Sequence, residues 1–532
     1  MKRFRSGLTI GLSNINLSNI HSLKKSLHRR QATLIFHLLL PALYFGAIAW
    51  FLSLHPVFQF DHDEGIAVAR AASYLQGFRL YTQIWNDQPP LFTVMLANWL
   101  HVFGASVTAA RLMVALFSTL LIWSFSQILR QSFGGGPALV GVLLLTISWK
   151  YVILSISVMS GLVAIALAML SAYLLLHYQK HRSTTLLLLS GLCFGLSLQT
   201  KFFTVLIGVP LFIQFLCFCG FQKQNITSQE QHRLQTFYPA FFWAVSCSLT
   251  FVLIAILLQS IQLEQLLTSH LSPQVQQQSQ EIDNFNTVPE MLLQDGEYLV
   301  LAVFGLWNLV RPTPYRTALL VPLVWLVFIT GVLGHYQPLW YHYYLLFSIP
   351  LVWLAVSGIV AIAEWVKPHL SPALPGKNRR VLRVLLIVFL VGVLGLGGSI
   401  SRNKLRQMTA VVYSEVQAGQ QRFAVVERIA AYKAHTRWVF ADAPMLAFRA
   451  GLPIPPETAV FSRKRLWGGN LSDGRICEIL RTYRPEQIVI SRFPLLEPEI
   501  QACIGGDRYR RRVYQGDYGP VIHLIAPQLL RH

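Results

Sequence analysis

Charge is scarce in this 532-residue chain: Asp, Glu, Lys and Arg together make up 13% of it, where a soluble domain carries about a quarter. Hydrophobic residues reach 54% and recur in runs long enough to cross a bilayer, which takes about 20 apolar residues. Both figures argue against a soluble α/β protein. Cysteine is rare as well, at six residues, and the spacing holds no metal-ligand pattern. Cys193, Cys217, Cys219 and Cys247 lie in or beside apolar segments, whereas Cys477 and Cys503 fall in a polar tail. A disulfide between those two requires that the tail lie outside the cytoplasm. The tail lacks a Gly-rich phosphate loop, which argues against a dinucleotide site. The net charge of +21 does not point to nucleic acid either. The bases sit in short clusters between apolar runs, such as Lys24, Lys25, Arg29 and Arg30, or Arg379, Arg380 and Arg383. Clusters of that kind fix membrane orientation.

These features predict an all-α polytopic membrane protein of about eleven transmembrane helices, with apolar windows near 32–54, 112–130, 137–155, 157–177, 185–200, 202–220, 238–259, 296–310, 317–334, 343–363 and 381–400. A cytoplasmic basic leader covers 1–31, and it precedes an apolar run too long for a signal peptide. Basic residues at 180–182, 223–233, 311–316 and 367–383 fall on the same side as the leader, leaving long outside loops at about 55–111 and 260–295. The odd span count places 401–532 outside too. There the strand-like runs Trp438–Ala441 and Gln487–Ser491 flank a helix over Arg475–Tyr483, so a small α/β domain is expected.

Acidic residues are the scarcest of all in the first half. Through residue 229 the only ones are Asp61, Asp63, Glu64 and Asp87, all in the first outside loop. Carboxylates kept beside a membrane surface commonly mark a site. Asp63 also suits the N-cap of an amphipathic helix from Glu64 to about Leu75, ended by Gly77, so capping and catalysis are both open for it. In Trp85–Asn86–Asp87–Gln88–Pro89–Pro90–Leu91 the prolines set a turn before another helix, and Asp87 sits at that helix start. A solvated acid is the plain alternative for Asp61, and a cap for Asp87.

The order of basic leader, span, Asp-Glu in the first outside loop, acidic-x-Pro-Pro-Leu turn and Arg111 at the head of span two resembles the GT-C superfamily of polyprenyl-phosphate-sugar glycosyltransferases. The resemblance is to the branch holding protein O-mannosyltransferases and aminoarabinose transferases (glycosyltransferase family 39-like). It implies a glycosyltransferase of the plasma (inner) membrane that moves a hexosyl or pentosyl group from a polyprenyl phosphate to a lipid, glycan or protein acceptor. Asp63, with Glu64 and Asp87, matches the catalytic acids of such enzymes; Gln88 stands where relatives carry a base, which puts any lysine role in that turn in doubt. Lys201 in Leu198–Gln199–Thr200–Lys201–Phe202 matches a lysine of the family and, with Arg111, His342 and Tyr344, is a candidate for the donor phosphate. His270 and Gln88 are candidates for substrate contact. The plain readings are snorkelling for Lys201, an ion pair to a loop acid for Arg111, and an aromatic belt for Trp340–Tyr344. Some GT-C enzymes use a divalent ion and others do not, and no ligand spacing here supports one. A transporter or lipid flippase is the alternative function, although the acids gather at one face and no inverted repeat is evident.

Overall fold

The computed structural model describes residues 31, 33–221, 229–260, 264–265, 287–310, 316–336, 339–370, 378–505, 508–516 and 519–530. The leader to residue 30, His270 and most of the 260–295 loop lie outside them.

In chain order, helix α1 (Ile35–Leu54) leads into the amphipathic α2 (His62–Leu75), the short apolar α3 (Leu91–Phe103) and α4 (Val107–Phe133). Next come α5 (Gly135–Ile147) and α6 (Trp149–Ile156), bent 78° to each other at Ser148. They are followed by α7 (Ser160–His181), α8 (Thr184–Thr200), α9 (Val205–Phe221) and α10 (Gln229–Leu257). After α11 (Val288–Leu293) stand α12 (Gly296–Val310), α13 (Arg316–Leu333), α14 (Tyr344–Leu370) and the 53-residue α15 (Asn378–Ala430).

Among the described residues five helices are long and apolar enough to cross a membrane, and the bent pair makes a sixth if counted as one span. The expected windows fall on helices, but several of those apolar helices are only 10–17 residues long, so the count of eleven is not reproduced among the described residues. Helix α3 follows Pro89 and Pro90 as expected, within the stretch assigned to the first outside loop. Its 13 residues span about 20 Å, too short to register as a crossing.

The helices pack where small residues let backbones meet, as expected when lipid supplies no hydrophobic drive between helices. Gly305 on α12 and Gly358 on α14 face each other, and a Cβ on either would run into the opposite chain at the carbonyl of Leu354 or Leu301. Buried Phe125, Tyr151, Trp325, Phe347 and Trp353 fill the interior.

The boundary drawn near 401 falls inside α15, which continues unbroken to Ala430 because no proline interrupts it. Beyond it comes a sheet of β1 (Val439–Ala441), β2 (Gln487–Ile490), β3 (Arg510–Gly516) and β4 (Gly519–Ile525) in the order β1-β2-β4-β3. β1 and β2 are parallel, and the other two pairings are antiparallel. The helices α16 (Pro444–Ala450), α17 (Arg463–Trp467), α18 (Asp473–Tyr483) and α19 (Glu497–Ile504) surround the sheet. Strands β1 and β2 and helix α18 match the expected strand–helix–strand, and Cys477 and Cys503 form a disulfide between α18 and α19. This layer sits on the first loop: a Cβ at Gly65 of α2 would lie 2.9 Å from the Met445 Cβ, so only glycine lets α16 approach that closely.

Candidate active site

Asp61, in extended conformation, caps α2 by accepting the backbone N–H of Asp63 at 2.7 Å. The cap therefore lies two residues earlier than expected, because His62 already takes helical geometry. Asp63 is left on the exposed first turn, at the positive end of the helix dipole.

Glu64 points the other way and is fully buried. Its two oxygens accept from Arg111 Nε (3.1 Å) and Nη2 (2.9 Å), from the backbone of Phe60 (2.7 Å) and from the backbone of Val158 (2.9 Å). Arg111 and Arg449 both donate to the Val57 carbonyl, at 2.9 and 3.1 Å. One carboxylate thus ties the first loop, α4 and the α6–α7 connection together, and two guanidinium groups tie the C-terminal layer to the same point.

The turn that carries Asp87 and Gln88 is held by Tyr81, whose hydroxyl donates to the Gln88 carbonyl at 2.9 Å, and by buried Arg70, which donates to Asn86 at 2.8 Å. Gln265 of the second loop bridges this turn, donating to the Tyr81 carbonyl (2.7 Å) and accepting from the Asn86 N–H (3.0 Å). Lys201 stands at the break after α8. Its carbonyl is held by the Thr204 hydroxyl at 2.9 Å, and its ammonium lies 5.1 Å from the Phe203 ring centre. Phe203 meets Tyr343 edge-on at 5.7 Å, and His342 stacks on Tyr343 at 4.9 Å.

The C-terminal layer supplies the opposite wall. Ser462 caps α17, and Arg465 anchors it by donating to the carbonyls of Glu457 (2.6 Å) and Val460 (2.8 Å), with its guanidinium 4.8 Å from the Trp85 ring centre. Arg492 is aimed by Asp442, a buried carboxylate that accepts three successive backbone N–H groups, from Ser491, Arg492 and Phe493, at 2.7–2.8 Å. Burial raises the Asp442 carboxyl to about 6 against those bonds.

All of these segments close around one cavity of about 300 Å³. Its polar lining comprises Asp61, Asp63, Arg70, Asp87 and Gln88 from the first loop, Lys201 and His342 from the bundle, and Arg463, Lys464 and Arg492 from the C-terminal layer. Burial and the neighbouring Asp63 push the Asp61 carboxyl up to about 7, with Arg492 pulling the other way. Burial, then Arg492, Arg422 and Arg463, press His62 down to about 3, so its imidazole is neutral.

Residues 87–251 match the family model for dolichyl-phosphate-mannose-protein mannosyltransferases. Among solved structures, the chain resembles ArnT from Cupriavidus metallidurans bound to undecaprenyl phosphate, with a TM-score of 0.60 at 16% identity, over 92% of this chain and 98% of that one. The apo form of the same protein aligns over the same shares at TM-score 0.59 and 14% identity. No curated protein sequence gives a significant match. The chain has the GT-C fold.

Within the GT-C fold, five of the nominated positions meet at the cavity: Asp63, Asp87, Gln88, Lys201 and His342. Three do not line it. Glu64 and Arg111 are used up in their mutual clamp, the alternative already open for Arg111. Tyr344 is buried elsewhere, bonded to Asp295 and to the Ser148 hydroxyl. His270 lies outside the described residues. The sequence reading missed Arg463, Lys464, Trp467 and Arg492, as well as Met159 and Ser160 in the α6–α7 connection. A signal existed for the first of these: Arg463–Lys464–Arg465 is a basic cluster in a tail assigned to the outside, against the positive-inside trend. Among the described residues no group of three or more His, Cys, Asp and Glu forms a metal-holding cluster.

Proposed function

We propose that the protein is an integral-membrane glycosyltransferase of the inner membrane that moves a sugar from a polyprenyl phosphate to a lipid, glycan or protein acceptor at the outer face. The observation that carries this reading is a single cavity, set where the helical bundle meets the C-terminal layer, that gathers the carboxylates Asp61, Asp63 and Asp87 with the cations Arg70, Lys201, Arg463, Lys464 and Arg492. The GT-C fold and the family match over 87–251 support it, and the ArnT structure of the same fold holds undecaprenyl phosphate.

In the proposed reaction Asp63 takes the proton of the attacking acceptor group, a role a positioned carboxylate fills for about 10²–10⁴-fold of rate. The acceptor oxygen bonds to the anomeric carbon as the carbon–oxygen bond to phosphate breaks, and the phosphate leaves with the electron pair. A single displacement of this kind inverts the anomeric centre. Lys201, His342 and Lys464 stabilise the developing charge of the leaving phosphate, and such preorganised groups supply much of the rate in dry sites. Asp87 and Gln88 orient sugar or acceptor hydroxyls. No nucleotide pocket is needed, because the activated sugar arrives on a lipid.

In this arrangement the leader is cytoplasmic, and residues 61–87 together with the 401–532 segment are extracytoplasmic. The transporter reading gains no support from the family match or from the similar solved structures. Purified protein mixed with a polyprenyl-phosphate sugar and membrane acceptors is expected to release polyprenyl phosphate. Movement of the intact lipid across the bilayer without release would contradict the proposal.

A further inference from the structure

A second cavity of about 320 Å³ lies beside the first, between the first loop, α15 and the sheet. The two share His62, Arg463 and Arg492 as a common partition. Its remaining polar lining is Gln59, Arg422 and Ser491, and among the described residues that line it there is no carboxylate. Three guanidinium groups therefore converge on one space. Arg422 is set by the Phe58 ring, 5.6 Å from its guanidinium, and the Arg492 backbone is pinned by Asp442. Gln59 Nε2 donates to His62 Nδ1 at 3.1 Å, so the neutral imidazole carries its proton on Nε2 and is itself a donor. Four of the six polar side chains, Arg422, Arg463, Arg492 and His62, present donors, and the charged ones are all cationic, which suits an oxyanion better than a neutral sugar.

We infer that this cavity is an anion subsite for the acceptor, holding a phosphate or carboxylate group of that molecule while its nucleophilic oxygen reaches past His62 to the Asp61–Asp63 edge. The inference rests on the glycosyltransferase reading and narrows its acceptor to an anionic one. Arginine is the side chain whose planar fork matches phosphate and carboxylate in pairs of bonds. The donor phosphate belongs to the first cavity, at Lys201 and His342, so the two anions occupy separate places.

The test uses the full chain in lipid nanodiscs, with inorganic phosphate as the probe and the first cavity saturated by undecaprenyl phosphate. Calorimetry is expected to show phosphate binding that Arg422→Gln weakens by at least about tenfold, the loss expected for one charged hydrogen-bonding partner. Arg422→Lys is expected to keep part of the affinity, and undecaprenyl phosphate affinity is expected to be unchanged in both. If Arg422→Gln fails to fold, Ala443→Glu sets a carboxylate at the same cavity and is expected to produce the same loss. Unchanged phosphate affinity in these variants would overturn the inference, as would a parallel fall in undecaprenyl phosphate affinity, which would make the second cavity part of the donor site. Failure of the wild-type protein to bind undecaprenyl phosphate would instead count against the proposed function, with the phosphate measurement still deciding the subsite.

Discussion

Replacing Glu64 by Gln separates a carboxylate that holds the structure from one that performs chemistry. Glu64 is wholly buried and accepts four hydrogen bonds between 2.7 and 3.1 Å, two of them from Arg111, which is itself 4% exposed. An amide keeps one of the two oxygens and turns its nitrogen toward two donors. It also leaves the Arg111 guanidinium buried without a counter-charge. Breaking a buried pair in this way costs about 3–5 kcal/mol. The same reasoning gives a second arm: in Glu64→Gln with Arg111→Met the orphaned charge is gone, and most of the loss is recovered, because a buried pair contributes little beyond an apolar replacement. Equilibrium unfolding of the purified variants in detergent, followed by tryptophan fluorescence, reads both. A Glu64→Gln protein within about 1 kcal/mol of wild type, or a double variant no better than the single, would refute the reasoning.

Five further outcomes are expected. Transfer activity should rise with pH through about 7 as Asp61, the cap whose carboxylate holds the backbone of the base Asp63, loses its proton, and Arg492→Gln should shift that limb upward by removing a charge that favours the carboxylate; a pH profile that does not move would count against the coupling. On the same group stability runs oppositely: the folded chain keeps a proton that the unfolded chain has released, so this contribution is present at low pH and lost as pH rises through about 7. Cys477→Ser should lower the stability of the C-terminal layer by about 3.5 kcal/mol, the loop-entropy value for a bridge across 26 residues, measured by limited proteolysis with and without reductant. Gly65→Leu should force α16 away from α2 and abolish transfer while the protein still reaches the membrane, and a fully active variant would show that the close contact is dispensable. Single cysteines at residues 76 and 82 should react with an impermeant reagent added to intact cells; labelling only after lysis would reverse the proposed orientation.

Much of the helical bundle was legible because apolar runs report directly on helices that must satisfy their own backbone in lipid. The acids were legible as a group for the same reason: four carboxylates in 229 residues stand out where nearly everything else is apolar. Their division of labour was not. Asp61, Asp63 and Glu64 are neighbours in sequence, yet Asp61 caps the helix and lines the cavity, Asp63 lines it from the first turn and Glu64 is buried under Arg111, and only the helix phase and the position of Val158, 94 residues away, decide which. The basic lining from the C-terminal layer was hidden for a similar reason. Arg463, Lys464 and Arg492 come from a sheet layer whose docking depends on Gly65 and on Arg449 reaching Val57 and Phe58, contacts between segments nearly 400 residues apart. The long run of α15 past 401 was missed because the fall in hydropathy there marks a change of surroundings and not the end of a helix.

The most direct measurement on the central claim is polyprenyl phosphate release by Asp63→Asn beside wild type, with undecaprenyl phosphate binding measured on the same preparations. The account predicts a rate at least about 100-fold lower with lipid-phosphate binding intact. An Asp63→Asn protein that turns over at close to the wild-type rate would contradict it.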